Sequence, residues 1–377
     1  MRAFLQRVRR LDWEVIGGVL FAKFTLFAFA FFAVPAVSGK WRTFWELWNR
    51  WDALRYLQLA REGYLTTGEA RFNLVGLPLF PWLTRVVSWS GCDIRIAAFL
   101  VSGVASIAAA LLLLKLVRLD EPDEANLYPV WFLLIYPTSY FLHIAYTEAT
   151  LLALVLGSFL AARKKAWLVA GVLGGLASMT RLPGIVVLPA LLFEAWEQWR
   201  LTPKAFASGP SRLDWRWLSL AIVPCGLGIY LWINFALTGD PLAFSKIFRE
   251  HFFQSLASPW IGLRNVFKIL GGDEPDFVLM SGGAEAFFSI FALAMTLWSW
   301  FVLRPSYAVW MTGTTLLCIS NKFIQGVPRY TLVMFPIFIL FARAARGRPL
   351  VFAMISFPSL ILLTFFVSKF ALGHWAF

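Results

Sequence analysis

Charged side chains are scarce in this chain. Aspartate, glutamate, lysine and arginine make up 15% of its 377 residues, whereas hydrophobic residues make up 59% and the mean hydropathy is +0.69. A soluble chain carries roughly a quarter charged residues, and several apolar runs here exceed the roughly 18 residues that indicate a membrane span. The composition excludes an ordinary soluble domain and predicts an all-α polytopic membrane protein, with residues 1–377 as one transmembrane domain.

Cysteine and the common catalytic motifs are also nearly absent. Cys92, Cys225 and Cys318 lie far apart and show neither disulfide nor metal-ligand spacing. The sequence has no HExxH, GxSxG, P-loop or GxGxxG arrangement, which removes support for zinc peptidases, serine hydrolases, NTPases and dinucleotide enzymes. Three histidines in the whole chain form no cluster. We therefore expect no metal and no cofactor.

Positive charge is in excess, with a formal net charge of +13. The arginines and lysines lie mainly in short loops between apolar runs, which is the positive-inside pattern of membrane proteins. This distribution argues against nucleic acid as a partner. The basic segment Met1–Arg10 precedes an apolar stretch over Val15–Val37, which predicts a retained signal anchor.

The apolar runs predict about 11 transmembrane helices. Residues 74–90 are apolar but short, broken by Pro78 and Pro81 and interrupted by Arg85, so we assign them to a re-entrant or interfacial helix. Almost every compact basic loop then falls on one side, which places the amino terminus in the cytoplasm and the carboxyl terminus outside. The predicted spans are 14–37, 94–116, 127–144, 147–162, 166–180, 182–198, 217–237, 285–303, 306–320, 329–343 and 349–372.

This topology leaves two long extracytoplasmic loops, residues 38–93 and 238–284. The first is expected to contain interfacial helices because it holds the Trp-rich string WELWNRWDALRYLQLAREGYL, Trp45–Leu65. We predict one helix over this string. No internal repeat is evident, which weighs against transporters built from duplicated halves.

Asp52 is the candidate catalytic residue of that helix. A continuous helix places Trp48, Asp52 and Tyr56 on one face, four residues apart. A carboxylate held at the membrane surface could act as a general base on an acceptor hydroxyl. The alternative is that Asp52 pairs with Arg55 on an exposed interfacial helix and has no catalytic role.

Other polar residues converge on the same outer face in this topology. Lys322 and Arg329 lie outside against the positive-inside trend, and an anionic ligand would explain them, since arginine suits bidentate contact with phosphate. Arg181 is also external. The alternative for Arg181 and Arg329 is that they snorkel to lipid headgroups from helix ends. The further polar residues at these external turns are His143, Tyr146, Thr147, Glu148, Asn321 and Tyr330.

The string NRWDALRYLQLAREGY resembles the Trp-Asp segment of the PIG-V family of mannosyltransferases. The pieces that follow it in family order, over residues 49–342, are PLFPWL, YPTSYFLHIAYTEATLLAL, SMTRLPGIVVLPALL and RYTLVMFPIFILFA. The resemblance implies a GT-C glycosyltransferase fold with the active site at the first extracytoplasmic loop. It also implies transfer of mannose from a polyprenyl or dolichyl-type phosphate, with inversion.

The resemblance implies that Asp52 is the general base. Arg55 stands where the family pattern leads us to expect a histidine or an aromatic residue, and the short chain favours a prokaryotic member. Donor-phosphate contacts are expected from Arg329, Arg181 and Lys322. The expected substrate-binding residues are Trp51, Arg55, Tyr56, Tyr146, Glu148, His143 and Tyr330.

The expected partners are a lipid-phosphate-linked sugar donor, a glycan or glycolipid acceptor, and membrane lipids. The expected location is the cell membrane of a prokaryote, or the endoplasmic reticulum if the chain is eukaryotic. Two alternatives remain from the sequence. One is a transporter or flippase of an anionic lipid-linked substrate, and the other is a GT-C enzyme that uses a different lipid-phosphate sugar.

Overall fold

The computed structural model of this chain describes residues 2–121, 126–201 and 214–377. Within these ranges the regular structure is helical and no strand forms, which confirms the all-α prediction. Short 3-10 and π turns join several of the helices. The α-helices are α1 (Arg2–Ser38), α2 (Phe44–Trp48), α3 (Asp52–Glu62), α4 (Leu79–Ser88), α5 (Ile94–Asp120), α6 (Tyr128–Leu134), α7 (Glu148–Arg163), α8 (Trp167–Thr180), α9 (Val187–Leu201), α10 (Ile222–Thr238), α11 (Ala243–His251), α12 (Pro259–Ile269), α13 (Pro275–Phe277), α14 (Glu285–Val302), α15 (Pro305–Ile319), α16 (Val327–Val333), α17 (Pro336–Ala345) and α18 (Pro349–Leu372).

Five helical segments of the described chain are long and apolar enough to cross a membrane, and each coincides with a predicted span. A sixth arises if α16 and α17, bent by 76° at their junction, count as one span. The chain is therefore an integral membrane protein. By length and composition the five segments are Arg10–Ser38, Ile94–Asp120, Trp215–Thr238, Pro275–Val302 and Pro349–Leu372.

The count of about 11 spans is not reached by this criterion because several predicted runs form short or broken helices. The run 127–144 gives α6, which ends before Pro137, and then a 3-10 turn over Ser139–Leu142. Proline disfavours helical geometry in the residue before it and cannot donate a helical hydrogen bond. Pro336 marks the bend between α16 and α17 in the same way.

The prediction of one helix over Trp45–Leu65 is wrong. The chain forms α2 and α3 with a break at residues 49–51, and Trp51 adopts φ +52°. Long-range contacts hold this break: the Arg50 guanidinium donates to the Ala371 carbonyl at 3.0 Å, and the Tyr146 hydroxyl donates to the Arg50 carbonyl at 3.1 Å. Trp48 is consequently buried in the core and does not share a face with Asp52.

Helix α4 lies within residues 74–90, the segment whose assignment as non-spanning determined the predicted topology. Its ten residues extend about 15 Å, half the roughly 30 Å of a bilayer core. It packs on α3 and α5, and the Arg85 guanidinium donates to the Ala60 carbonyl at the end of α3 at 2.6 Å. Arg85 therefore has a structural partner within the first loop, and a short, non-spanning α4 is compatible with the predicted interfacial helix.

Two buried charge clusters lie at opposite ends of the bundle. At one end, Glu194 binds Arg163 and Arg304 and accepts a hydrogen bond from Ser306 at 2.6 Å, joining α9 to α7 and α15. Arg163 also pairs with Asp120 at the end of α5. The other cluster lies where α3, α7 and α16 begin and α8 ends, and this is the end that forms the candidate site.

Candidate active site

A cavity of about 410 Å³ opens at the end of the bundle where α3 and α16 begin. Its walls come from the first long loop, the end of α8, the second long loop, the segment around α16 and the segment after α18. Most of the residues predicted from the sequence reach it. Those that line the cavity are Trp51, Asp52, Arg55, Tyr56, Arg181, Arg329 and Tyr330.

Four charged side chains form a connected cluster at the inner wall. Asp52 Oδ2 lies 2.8 Å from Arg329 Nη1, and Arg329 Nε lies 3.1 Å from Glu148 Oε1. Arg181 Nη1 contacts the same Glu148 oxygen and lies 3.3 Å from the Thr147 hydroxyl. Two carboxylates therefore balance two guanidinium groups, with Asp52 the member whose side chain is most open, at 36% exposed.

These contacts exclude two of the arrangements that the sequence left open. Arg181 and Arg329 are 8% and 9% exposed, so they lie inside the protein and do not snorkel to headgroups. Asp52 pairs with Arg329, whereas the Arg55 guanidinium lies 4.5 Å from the centre of the Phe252 ring. The Asp52–Arg55 pair of an exposed helix is therefore not formed.

The local sequence explains how the two arginines reach the cavity. Helix α8 stops at Thr180, and Arg181 is extended at φ −162° ahead of the Leu182-Pro183 step. Pro183 cannot continue the helix because it lacks the N–H that would bond to the Met179 carbonyl, and its ring would clash with that carbonyl. Arg329 follows the left-handed Gly326, φ +83°, near the start of α16.

Glu285 holds the turn at Gly326 in place. The sequence alone indicated no partner for this residue. Its carboxylate accepts the backbone N–H of Gly326 and that of Val327, the latter at 2.9 Å. These are donors at the start of α16 that lack helical partners. The side chain is fully buried, so it anchors the Arg329 turn from behind.

Protonation at the cavity follows from burial and from these arginines. Burial raises the pKa of the Asp52 carboxyl, but Arg329, Arg55 and Arg181 together outweigh burial and hold that pKa below its usual value. Burial and the neighbouring Asp52 raise the pKa of Tyr56 to about 12. At neutral pH the cavity therefore presents an ionised carboxylate beside a neutral phenol.

Under the sequence-based expectation that Asp52 is the general base of a sugar transfer, Arg55→Gln shifts the acid limb of the pH profile of kcat/KM to higher pH. Arg55 lowers the pKa of Asp52, so its removal raises that pKa, and the Asp52 carboxylate is then protonated at a higher pH as the medium is acidified. The measurement is the rate of the expected sugar transfer against pH. Arg61→Gln, on the exposed surface of the same helix, is the matched control, and an unshifted Arg55→Gln profile would contradict the assignment of Asp52 as base.

Four predicted site residues do not line the cavity: Lys322, His143, Tyr146 and Glu148. Lys322 has an exposed side chain, and its backbone N–H donates to the Ser255 carbonyl at 2.8 Å. His143 is fully buried before α7 and does not line the cavity. Tyr146 lies behind the arginines, with its ring centre 5.4 Å from Arg329 Cζ.

Several lining residues were not predicted from the sequence. They are aromatic or amide side chains from segments distant in the chain, which carry no local motif. In the described ranges, no group of three or more His, Cys, Asp or Glu residues comes together in a form suited to a metal ion. The unpredicted lining residues include Asn73, Phe248, Phe252, Gln254, Gln325, Trp375 and Phe377.

No family model and no curated protein matches this sequence. Among solved structures, the chain is similar to ArnT from Cupriavidus metallidurans bound to undecaprenyl phosphate, with 15% identity, 95% of this chain and 78% of that chain covered, and a TM-score of 0.47. It is also similar to the archaeal oligosaccharyltransferase AglB from Archaeoglobus fulgidus in complex with an inhibitory peptide and a dolichol-phosphate. That likeness has 12% identity, covers 95% of this chain and 56% of that chain, and has a TM-score of 0.46. Because both scores lie below 0.5, neither likeness carries an argument about activity.

Proposed function

We propose that this chain is an inverting glycosyltransferase of the GT-C type. It moves a mannose from a polyprenyl-phosphate carrier to an acceptor glycan or glycolipid at the extracytoplasmic face. The observation that carries the proposal is the cluster of Asp52, Arg329 and Arg181 on the wall of one cavity. Mannose as the sugar and the lipid carrier come from the resemblance to PIG-V proteins.

The cluster supplies the groups that a single displacement needs. Arg329 and Arg181 bind the phosphodiester of the donor and stabilise the charge that develops as the phosphate leaves. Asp52 takes the proton of the acceptor hydroxyl, whose oxygen bonds to the anomeric carbon from the face opposite the phosphate. The bond between the anomeric carbon and the phosphate oxygen breaks, and its electron pair stays on the phosphate.

The number of carboxylates in the cavity favours inversion. Among the described residues that line it, Asp52 is the only carboxylate. Glycosyl transfer with retention through a covalent intermediate uses a second, nucleophilic group near the first. Glu148 is 1% exposed, and one of its oxygens contacts both arginines, so it orients the cations from behind the cavity wall.

The charge balance of the cluster links donor binding to the basicity of Asp52. Without a donor, Arg329 is shared between Asp52 and Glu148, and it lowers the pKa of Asp52. A donor phosphate that engages Arg329 weakens the contact with Asp52 and offsets the positive charge beside it. The pKa of Asp52 then rises, so the carboxylate becomes a stronger base once the donor is in place.

The test is consumption of polyprenyl-phosphate-mannose by the purified protein in detergent, with an extract of membrane lipids and glycans as the acceptor source. We expect release of polyprenyl phosphate together with labelled mannose in the extract. Polyprenyl-phosphate-glucose serves as the matched donor, and its preferential use would contradict mannose. An intact donor that crosses protein-containing vesicles would contradict transfer and support the flippase alternative.

A further inference from the structure

The segment after α18 forms part of the cavity wall. Helix α18 ends at Leu372, and Gly373 adopts the left-handed φ +89° that turns the chain back toward the first loop. Trp375 and Phe377 then line the cavity. Phe377 is 1% exposed, with its ring centre 4.9 Å from that of Phe366 in α18.

Polar contacts fix this segment against the helix break beside Asp52. The Arg50 guanidinium donates to the Ala371 carbonyl at 3.0 Å, and the Tyr140 hydroxyl donates to the Ala376 carbonyl at 2.7 Å. Gly373 lies next to the Arg50 guanidinium, and its left-handed φ favours glycine at this turn. The position of Trp375 is therefore set by the same arginine that holds the α2–α3 break.

Trp51 meets Trp375 at the cavity in a strained backbone conformation. A bulky residue at φ +52° is a conformational outlier, and such strain is typical of functional sites. The ring centres of Trp51 and Trp375 lie 5.3 Å apart, and the two planes are inclined at 83°. Trp51 is nevertheless 40% exposed, so the strain is not offset by burial of its indole.

Apolar and polar groups meet at this corner of the cavity. The Nε1 of Trp375 is buried away from the cavity, so Trp375 contributes the apolar part of its ring to the wall. Asp52 and Arg55 line the same cavity. Two indole rings with a carboxylate and a guanidinium next to them suit a ligand that has both apolar faces and hydroxyl groups.

A pyranose ring has this chemistry, because its C–H groups form apolar faces and its hydroxyls form a polar rim. Indole faces carry a negative quadrupole that favours contact with such C–H groups. A polyprenyl tail is apolar but has no hydroxyls to meet Asp52 or Arg55. The mixed character of the corner therefore favours a sugar over a tail.

We propose that Trp51 and Trp375 form a subsite that stacks a pyranose ring beside Asp52. This proposal rests on the proposed function, since the ring belongs to the donor or to the acceptor of the transfer. Trp375 is then a specificity-determining residue contributed by the segment after α18. Its loss weakens the binding of sugars and spares the binding of a sugar-free lipid phosphate.

The experiment compares three probes by their dissociation constants in detergent: polyprenyl phosphate, polyprenyl-phosphate-mannose and methyl mannoside. We expect Trp375→Ala to weaken a mannose-bearing probe about three- to tenfold, the usual worth of one aromatic contact. Polyprenyl phosphate should stay within about twofold of wild type, and Trp375→Phe should restore most of the sugar affinity. Trp260→Ala, at a 70% exposed tryptophan on α12 outside the cavity, should leave all three constants unchanged.

The changes in affinity for the three probes show whether the pyranose ring belongs to the donor or to the acceptor. A loss for polyprenyl-phosphate-mannose assigns it to the donor, and a loss for methyl mannoside with none for polyprenyl-phosphate-mannose assigns it to the acceptor. Equal weakening of both lipids, or no weakening of any probe, would overturn the subsite. If wild type binds neither lipid, the proposed function fails, and methyl mannoside alone decides the subsite.

Discussion

Asp52→Asn is expected to lower the rate of sugar transfer about 10²- to 10⁴-fold, the usual contribution of a general base. The same change should leave donor affinity equal to wild type or up to about fivefold higher. Asparagine keeps the shape of the side chain but removes the anion that pairs with Arg329 and that, in the proposed mechanism, competes with the donor phosphate. The fivefold limit corresponds to about 1 kcal/mol, the upper range for a partly exposed ion pair.

Two measurements on one preparation separate these effects: donor binding by titration and transfer by release of polyprenyl phosphate. Asp93→Asn is the matched control, because Asp93 belongs to the same loop, caps α5 and lies outside the cavity. Asparagine is also a good helix cap, so this control should keep wild-type binding and transfer. Full transfer by Asp52→Asn would exclude Asp52 as the base, and a parallel loss of donor binding would make it a binding residue.

Glu148→Gln is expected to destabilise the protein by about 3–5 kcal/mol, the cost of removing one partner from a buried ion pair. Glu148 is 1% exposed and contacts both Arg181 and Arg329. Without it, two buried guanidinium groups share only Asp52. The measurement is the unfolding transition of the protein in detergent, monitored through its helix content.

The control for this prediction is Glu250→Gln, whose carboxylate is 72% exposed on α11. It should change stability by less than about 0.5 kcal/mol. The double variant Glu148→Gln with Arg181→Gln should be less destabilised than the sum of the two single variants, because it removes one charge of each sign. Equal stability of Glu148→Gln and Glu250→Gln would show that the cluster is not a buried ion network.

The sequence predicted the features that depend on local pattern. Long apolar runs gave the five spanning helices, and the Thr-Arg-Leu-Pro turn placed Arg181 at a helix end. The predicted external position of Arg181 and Arg329 also led to the expectation that they share a site with Asp52, and the three side chains line one cavity. Apolar periodicity and helix-ending prolines act within a few residues, so one sequence is enough to detect them.

Features that depend on contacts between distant segments were not predicted. The string from Trp45 to Trp51 contains neither glycine nor proline, so the break of the helix has no local signal. It depends on Arg50, which binds the Ala371 carbonyl 321 residues later. The contribution of Trp375 to the cavity has the same origin.

The direction of the Lys322 side chain could not be predicted for a different reason. Topology predicts its side of the membrane but gives no information about the direction of its side chain. Asn321 Oδ1 accepts the Ser255 N–H at 3.0 Å, and Lys322 N–H donates back to Ser255. This pairing fixes the backbone against the second loop, and the lysine side chain remains exposed outside the cavity.

The most direct test of the account is the anomeric configuration of the sugar in the product. The wild-type protein is mixed with polyprenyl-phosphate-mannose and the membrane extract, and the new glycosidic bond is analysed by NMR. We expect transfer with the configuration inverted relative to the donor, because one carboxylate, Asp52, serves one displacement. A product of retained configuration would contradict this mechanism, and a donor that stays intact would contradict transfer itself.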